Sequence, residues 1–260
     1  TYGGEDPGYS KASRIYRLSG AACAFLPMDD QGVSPRSAEE AGVLLVAGET
    51  KVVNRGLGDG VFIYTAGVGV VPEGVSLGGE QCKPGDKVLV SGTLGDHGIT
   101  VMSCREGLSF SADLQSDAAP LNHLIAKVLA VAPNTRCFRD PTRGGLASTL
   151  NEFADQAQVD ITIEEDSVPV KDAVRGACEM LGYDVLQVAN EGKMVCVVPA
   201  DEADAALGAM RAKKYGVDAA IIGEVGEMQP ERGPKVYLRT AFGGKRILDM
   251  LVGEQLPRIC

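Results

Sequence analysis

The sequence predicts an α+β protein, a mixed sheet covered by helices. Two observations predict it. Short runs rich in β-branched residues recur between Gly, Pro and Asp turn signals, and segments of helical periodicity alternate with them through most of residues 85–240. No apolar run approaches the ~20 residues of a membrane span; the longest candidates, "AGVLLVAG" and "MVCVVPA", are strand-sized.

The elements follow in order. Residues 1–37 carry no core pattern: "TYGGEDPGYSKAS" is polar and turn-rich, "DDQGVSPRS" reads as a loop, and "GAACAFLPM" is a short apolar patch between them. "GVLLVAG" reads as a buried strand and "GVFIYTAGVGVV" as another. "KPGDKVLVSG" is a turn followed by a strand, and "GDHGITVMSCREG" a loop entering a helix. "PLNHLIAKVLAVA" sets Leu121, Leu124, Ile125, Val128 and Leu129 on one helical face. "TRGGLASTLNEFADQA" offers a Thr cap, then Leu146, Leu150 and Phe153 at helical spacing. "VDITIEED" alternates as a half-buried strand, and "VKDAVRGACEMLG" is a helix ending on Gly182. "KMVCVVP" is a strand, "EADAALGAMRAKKYG" a helix also ending on a Gly, and "DAAIIGEV" and "KVYLRT" are strands. The tail "VGEQLPRIC" reads as unstructured.

Composition narrows the function classes. The 260 residues suffice for one large domain or two ordinary ones. A net charge of −10 argues against a nucleic-acid backbone or an anionic membrane as main partner, since both need a positive footprint. Seven cysteines (Cys23, Cys82, Cys104, Cys137, Cys178, Cys196 and Cys260) form no CxxC pair and are odd in number, which fits a reducing cytoplasm. Two histidines, His97 and His123, make a zinc site of the usual spacing unexpected. The start at Thr1 rather than Met reads as a processed chain or a fragment.

Four loops carry candidate chemistry. "GETKVVNRG" sets Glu49, Thr50 and Lys51 at the carboxyl end of a strand, either a surface turn or a ligand edge. "SGTLGDHG" is glycine-rich between strand and helix, suited to phosphate but without the Lys-Ser/Thr of a Walker loop. "RDPTRGGL" admits two readings. In one, Asp140 holds magnesium while Arg143 and the amides of Gly144 and Gly145 hold phosphate oxygens. In the other it is an N-cap with a solvated Arg. "ANEGKM" sets Glu191 on a turn before a strand, where a carboxylate is either solvent-facing or a base. The chain ends on Cys260, a thiol where a packing role is unexpected.

In this order, "GETKVVNRG", "DKVLVSGTLGDHG", "RDPTRGGL", "NEGKMV" and the terminal "PRIC" closely resemble the HypE family. These are [NiFe]-hydrogenase maturation proteins of the aminoimidazole-ribonucleotide-synthetase-like, ATP-using superfamily. The resemblance covers residues 38–260. It implies a C-terminal α+β domain of that fold over residues 79–250, a remnant of the N-terminal ATP-binding α/β domain over 38–78, a poorly matching segment over 1–37, and a flexible tail over 251–260.

The resemblance also implies the chemistry. HypF, a carbamoyltransferase, places a carbamoyl group on Cys260; ATP then drives its dehydration to a thiocyanate, and the cyano group passes to iron on a HypC–HypD complex. Ten extended residues reach ~33 Å, enough for a tail to visit its own site and another protein's. Glu191 and Lys51 match the acid–base positions, and Asp140 the magnesium position. Glu49 also falls among the metal ligands, although the family's GDTK is GETK here. Thr50, Gly95, Asp96, Thr142, Arg143, Gly144 and Gly145 match the ATP-binding loops. A homodimer is implied for full-length members.

The family's first third, with its His-Gly and Gly-Gly signature and its Mg-ATP aspartates, has no counterpart here beyond "LPMDD". The alternative is therefore a truncated, non-catalytic interaction module of the same family, unable to bind ATP alone. Another superfamily kinase is a third reading, against which the PRIC tail argues.

Overall fold

The computed structural model describes residues 15–16, 28–29, 32–33, 35–44, 46, 51–52, 54, 57, 66–106 and 114–250. Ile15–Tyr16 (β1) pairs with Gly69–Val70 (β4), and Met28–Asp29 (β2) with Gly32–Val33 (β3). Pro35–Ala41 forms α1. The remaining elements are Lys87–Val90 (β5), Asp96–Glu106 (α2), Asn122–Val131 (α3), Cys137–Arg139 (β6), Gly145–Ala157 (α4), Asp160–Glu164 (β7), Asp172–Leu181 (α5), Val195–Val198 (β8), Ala203–Arg211 (α6), Ala220–Gly226 (β9), Val236–Arg239 (β10) and Lys245–Ile247 (β11).

Seven strands form one sheet in the order β11-β10-β7-β9-β5-β8-β6. Only β10 and β7 run parallel; every other pair in it is antiparallel. Both faces are covered, which is why "KVLV" and "VCVV" are near-continuous apolar runs rather than alternating ones. Val88, Val90, Ile161, Ile163, Ile222, Val236 and Leu238 pack with Leu146, Leu150 and Phe153 of α4 on one face. On the other, Leu89, Cys196 and Val198 pack with Leu124 and Val128 of α3 and with Ala206 and Met210 of α6. α2 and α5 meet through Ile99, Val174, Ala177 and Cys178. The mixed sheet covered by helices is thus what the chain forms.

Four expectations are corrected. In "GVLLVAG", Val43, Leu44 and Val46 lie outside any strand and are exposed; of "GVFIYTAGVGVV", residues 60–65 lie outside the described residues, and in the described 66–71 only the two-residue β4 is strand, with Val70 exposed. An apolar run signals that cover is needed, and no described layer supplies it here. The Thr142 cap is absent: α4 starts from Gly144 in a left-handed turn (φ 75°), with no side-chain cap. The helix read through "AKKYG" stops at Arg211 and continues as a separate 3-10 turn, Lys214–Gly216. The strands β6 and β11, three residues each, were not expected at all. The tail 251–260 lies outside the described residues.

Candidate active site

β5 and β6 both run antiparallel to β8. The loops leaving β5 and β6 and the loop entering β8 therefore open at one edge of the sheet. Three of the four sequence-selected loops meet there.

The loop after β5 is an internal brace. Every residue from Ser91 to Ile99 is buried. Leu94 N–H donates to the Pro169 carbonyl (2.9 Å), Gly98 N–H to that of Ala189 (3.1 Å) and Gly95 N–H to Asn190 Oδ1 (2.7 Å). The Gly95 amide is thus committed inside the chain rather than aimed at an external anion. Gly95 has φ 84°, and a Cβ on it would lie 2.7 Å from Val174 Cγ1, so glycine is required twice over. Asp96, 2% exposed, accepts from Thr93 Oγ1 (2.5 Å) through Oδ2 and faces Lys171 Nζ at 3.1 Å and Lys193 Nζ at 4.0 Å. Its Oδ1 is buried and accepts no hydrogen bond among the described residues. Two ammonium groups beside one buried carboxylate satisfy the rule that a buried charge must be paired.

The loop after β6 carries Asp140, half-buried, with Arg139 Nε at 3.9 Å; the Arg139 guanidinium reaches Glu152 at 3.0 Å instead. Arg143 is exposed. Gly145 N–H donates to the Thr142 carbonyl at 2.9 Å. A Cβ on Gly145 would lie 2.6 Å from the Leu186 carbonyl oxygen and 2.7 Å from that of Val188, so only glycine lets α4 start this close to the 186–188 backbone.

Asn190 joins the three loops. It is fully buried, donates through Nδ2 to the carbonyls of Pro141 (3.1 Å) and Val188 (2.9 Å), and accepts from Gly95. Its own N–H donates to the Pro141 carbonyl at 3.0 Å. Glu191, the next residue, is half-buried. The N–H groups of Glu191 and Gly192 donate to Asp117 Oδ1 at 3.0 and 3.2 Å. A polar cleft of about 210 Å³ opens alongside, lined among others by Ser91, Ser116, Asp117, Lys193, Lys214 and Tyr215. His97 Nδ1 meets Ser116 Oγ at 2.8 Å, so this histidine braces a neighbouring segment.

The structure thus gathers Gly95, Asp96, Glu191 and the 140–145 loop with Thr142, Gly144 and Gly145 around Asn190. Lys51 is exposed and makes no hydrogen bond or ion pair with these loops among the described residues. Glu49, Thr50 and Cys260 lie outside the described residues. Sequence reasoning missed Asn190, Asp117, Lys171 and Lys193. Asn190 and Lys193 flank Glu191 inside the selected "ANEGKM", and a polar residue before an apolar strand was the available signal. Asp117 and Lys171 sit in segments with no motif at all.

The internal thiols are of a different kind. Burial pushes the Cys196 thiol up and the Cys178 thiol up to about 11. Cys137 is pushed up by its hydrogen bond with Cys82, 3.7 Å away, and by burial. Cys104 is exposed.

The fold and this loop cluster define a class. Residues 83–233 match the family described as AIR synthase related protein, C-terminal domain, and the chain belongs to it. Within that class it belongs to the HypE family. It is 54% identical over 224 residues to the carbamoyl dehydratase HypE of Azotobacter vinelandii, covering 86% of this chain and 65% of that protein. It is 45% identical to the carbamoyl dehydratase HypE of Escherichia coli K12 over the same shares. A crystal structure of the hydrogenase maturation protein HypE superposes with a TM-score of 0.82 at 46% identity, covering 86% of this chain and 71% of the other. A structure of HypE in complex with ATP gives 0.81 at 46% (86% and 68%), and a HypE–HypF complex 0.79 at 48% (83% and 69%). The chain spans 65% of the length of the curated relatives it matches.

Proposed function

We propose that this chain acts as its relatives' name, carbamoyl dehydratase, indicates, and that the reaction is the ATP-dependent dehydration of an S-carboxamide on Cys260 to a thiocyanate, supplying the cyano ligand of a [NiFe]-hydrogenase iron. The observation that supports it best is the convergence of the Gly95–Asp96, 140–145 and Glu191 loops on one buried side chain, Asn190.

The chemistry has two obstacles. The carboxamide oxygen is a poor leaving group, and its nitrogen a poor acid. Transfer of the γ-phosphoryl group of ATP to that oxygen forms an O–P bond, breaks the bond to ADP and makes the oxygen a phosphate leaving group. One nitrogen proton leaves to solvent as the oxygen is phosphorylated, giving an O-phosphorylated imidate; Glu191 takes the second as the C–O bond breaks, leaving a C≡N bond, and the sum is thiocyanate, ADP, phosphate and the released protons. A nearby cation offsets the charge that develops. Lys51 is the residue assigned to it by family position, and Lys193, which lines the cleft and lies 4.0 Å from the buried Asp96, is a second ammonium group near Glu191 in the chain.

Asp140 suits one ligand of a magnesium ion, because its neighbour Arg139 is turned to Glu152 and leaves the carboxylate oxygens weakly engaged. Glu49 would supply a second by family position. When bound, magnesium would neutralise charge on the nucleotide phosphates. Thr50, Thr142, Arg143 and the Gly144–Gly145 turn would contact the nucleotide.

By the same reading HypF loads Cys260, a HypC–HypD complex receives the cyano group, and the assembled protein is a homodimer. The solved complex of a relative with HypF supports the first of these. Among the described residues no helix is long and apolar enough to cross a membrane, and a cytoplasmic site of action is part of the proposal.

The test is direct. With a HypF partner, carbamoyl phosphate and millimolar ATP, mass spectrometry of the C-terminal peptide should show the carbamoyl adduct and then loss of water. Cys260→Ala should abolish both, and Glu191→Gln only the second. Modification of an internal cysteine with an unmodified terminal peptide would overturn the proposal. A second reading, a non-catalytic interaction module, is favoured by the internal commitment of the Gly95 and Gly145 amides. A chain that shows no nucleotide binding at millimolar ATP would be that module.

A further inference from the structure

We infer that Asp117 is a positioning residue for Glu191, holding the turn on which that carboxylate sits; the inference rests on the reading of Glu191 as the base. Asp117 lies 74 residues from Glu191, in a segment with no regular structure, yet its Oδ1 accepts two consecutive amides, Glu191 N–H at 3.0 Å and Gly192 N–H at 3.2 Å. A carboxylate accepting two adjacent amides fixes the direction of both peptide planes, and with them the Cα–Cβ vector of the first residue.

The backbone contact is closer still. A Cβ on Gly192 would lie 1.6 Å from the Asp117 carbonyl oxygen, so residue 192 must be glycine for the two segments to meet. Ser116 fastens the other side. Its hydroxyl meets His97 Nδ1 at 2.8 Å and accepts Ala118 N–H at 3.2 Å, tying the Asp117 segment to the first turn of α2. On the opposite side of Glu191, Asn190 is anchored to Pro141 and Val188. Glu191 is therefore gripped from both directions, and Asp117 supplies the grip on its C-terminal side. A base needs this, since a displacement of about 1 Å costs roughly 100-fold in rate.

The experiment uses the full chain at millimolar ATP with Cys260 carbamoylated by a HypF partner. It follows thiocyanate formation in single turnovers in H₂O and D₂O, with amide exchange of residues 191 and 192 measured alongside. Asp117→Ala should slow the reaction roughly 10- to 100-fold, enlarge the solvent isotope effect because proton removal becomes limiting, and deprotect the two amides. Asp117→Asn keeps an acceptor at Oδ1, although it places an amide group where Oδ2 is buried and has no hydrogen-bond partner among the described residues. It should remain within about tenfold of the parent with the amides protected. Gly192→Ala should reproduce Asp117→Ala.

If Glu191→Gln is inactive while Asp117→Ala matches the parent in rate and isotope effect, the inference fails and the base survives. A slowed Asp117→Ala with an unchanged isotope effect and protected amides also overturns it. If Glu191→Gln keeps the parent rate, or the parent forms no thiocyanate, the reading of Glu191 falls and the inference falls with it.

Discussion

A thiol reacts as its thiolate, so burial decides which of this chain's cysteines can do chemistry. Cys196 is fully buried in the sheet and Cys178 sits in the α2–α5 contact, its thiol pushed up to about 11. In native protein at neutral pH, iodoacetamide should label Cys104 and spare Cys82, Cys137, Cys178 and Cys196. Labelling of Cys178 should rise only as the pH nears about 11, where its thiolate forms. Peptide mapping that finds Cys196 alkylated as fast as Cys104 would contradict the burial. The same scale shows what a sequence can reveal of a site. Glu191 was singled out by its match to the family's acid–base position, since a carboxylate on a turn before a strand is otherwise usually solvent-facing. Asp117 was not, because its role lies in two hydrogen bonds to backbone 74 and 75 residues away. No local pattern encodes that contact.

α4 was legible because Leu146, Leu150 and Phe153 repeat at helical spacing, and all three are buried against the sheet. Leu150→Ala should therefore cost about 2–5 kcal/mol, read as a lowered denaturant midpoint with little change in slope. The start of α4 was misread because its boundary is set by backbone contact: Gly145 allows the approach to residues 186–188, Gly144 holds a left-handed turn (φ 75°), and α4 starts without a side-chain cap. Gly145→Ala should destabilise more than a left-handed φ alone, which costs about 1–2 kcal/mol, since its Cβ would meet two carbonyl oxygens. Equal stability of that variant in thermal melts would show that the 186–188 backbone gives way. The strands β6 and β11 escaped notice because three residues carry too little periodicity. β6 is instead fastened by Arg136, whose guanidinium makes two bonds to the buried Asp86, at 3.0 and 3.2 Å. Asp86 also accepts Lys83 N–H at 2.8 Å, so Asp86→Ala should cost about 1–3 kcal/mol in the same unfolding experiment.

At the scale of the molecule, the question is how much of a nucleotide site this chain holds. Under the proposed reading, the loops around Asn190 present one wall: Asp140, Thr142, Arg143 and the Asn190 junction. The amides of Gly95 and Gly145 are turned inward. The exposed apolar residues Val43, Leu44, Val46, Val52, Val68 and Val70 precede that wall in sequence and find no cover among the described residues. The chain spans 65% of the length of its relatives, and by family resemblance the Mg-ATP aspartates belong to the portion it does not match. Affinity is logarithmic in energy, so losing part of a site weakens binding steeply: each 1.4 kcal/mol is about tenfold. Titration calorimetry with Mg-ATP should accordingly give a dissociation constant of about 100 μM or weaker, ~5 kcal/mol. Arg143→Ala should weaken it further, because that exposed guanidinium is the cation this wall can turn toward phosphate. A constant near 1 μM, ~8 kcal/mol, would mean that these loops form a complete site as they stand, and that the inward turn of the glycine amides reverses when nucleotide arrives.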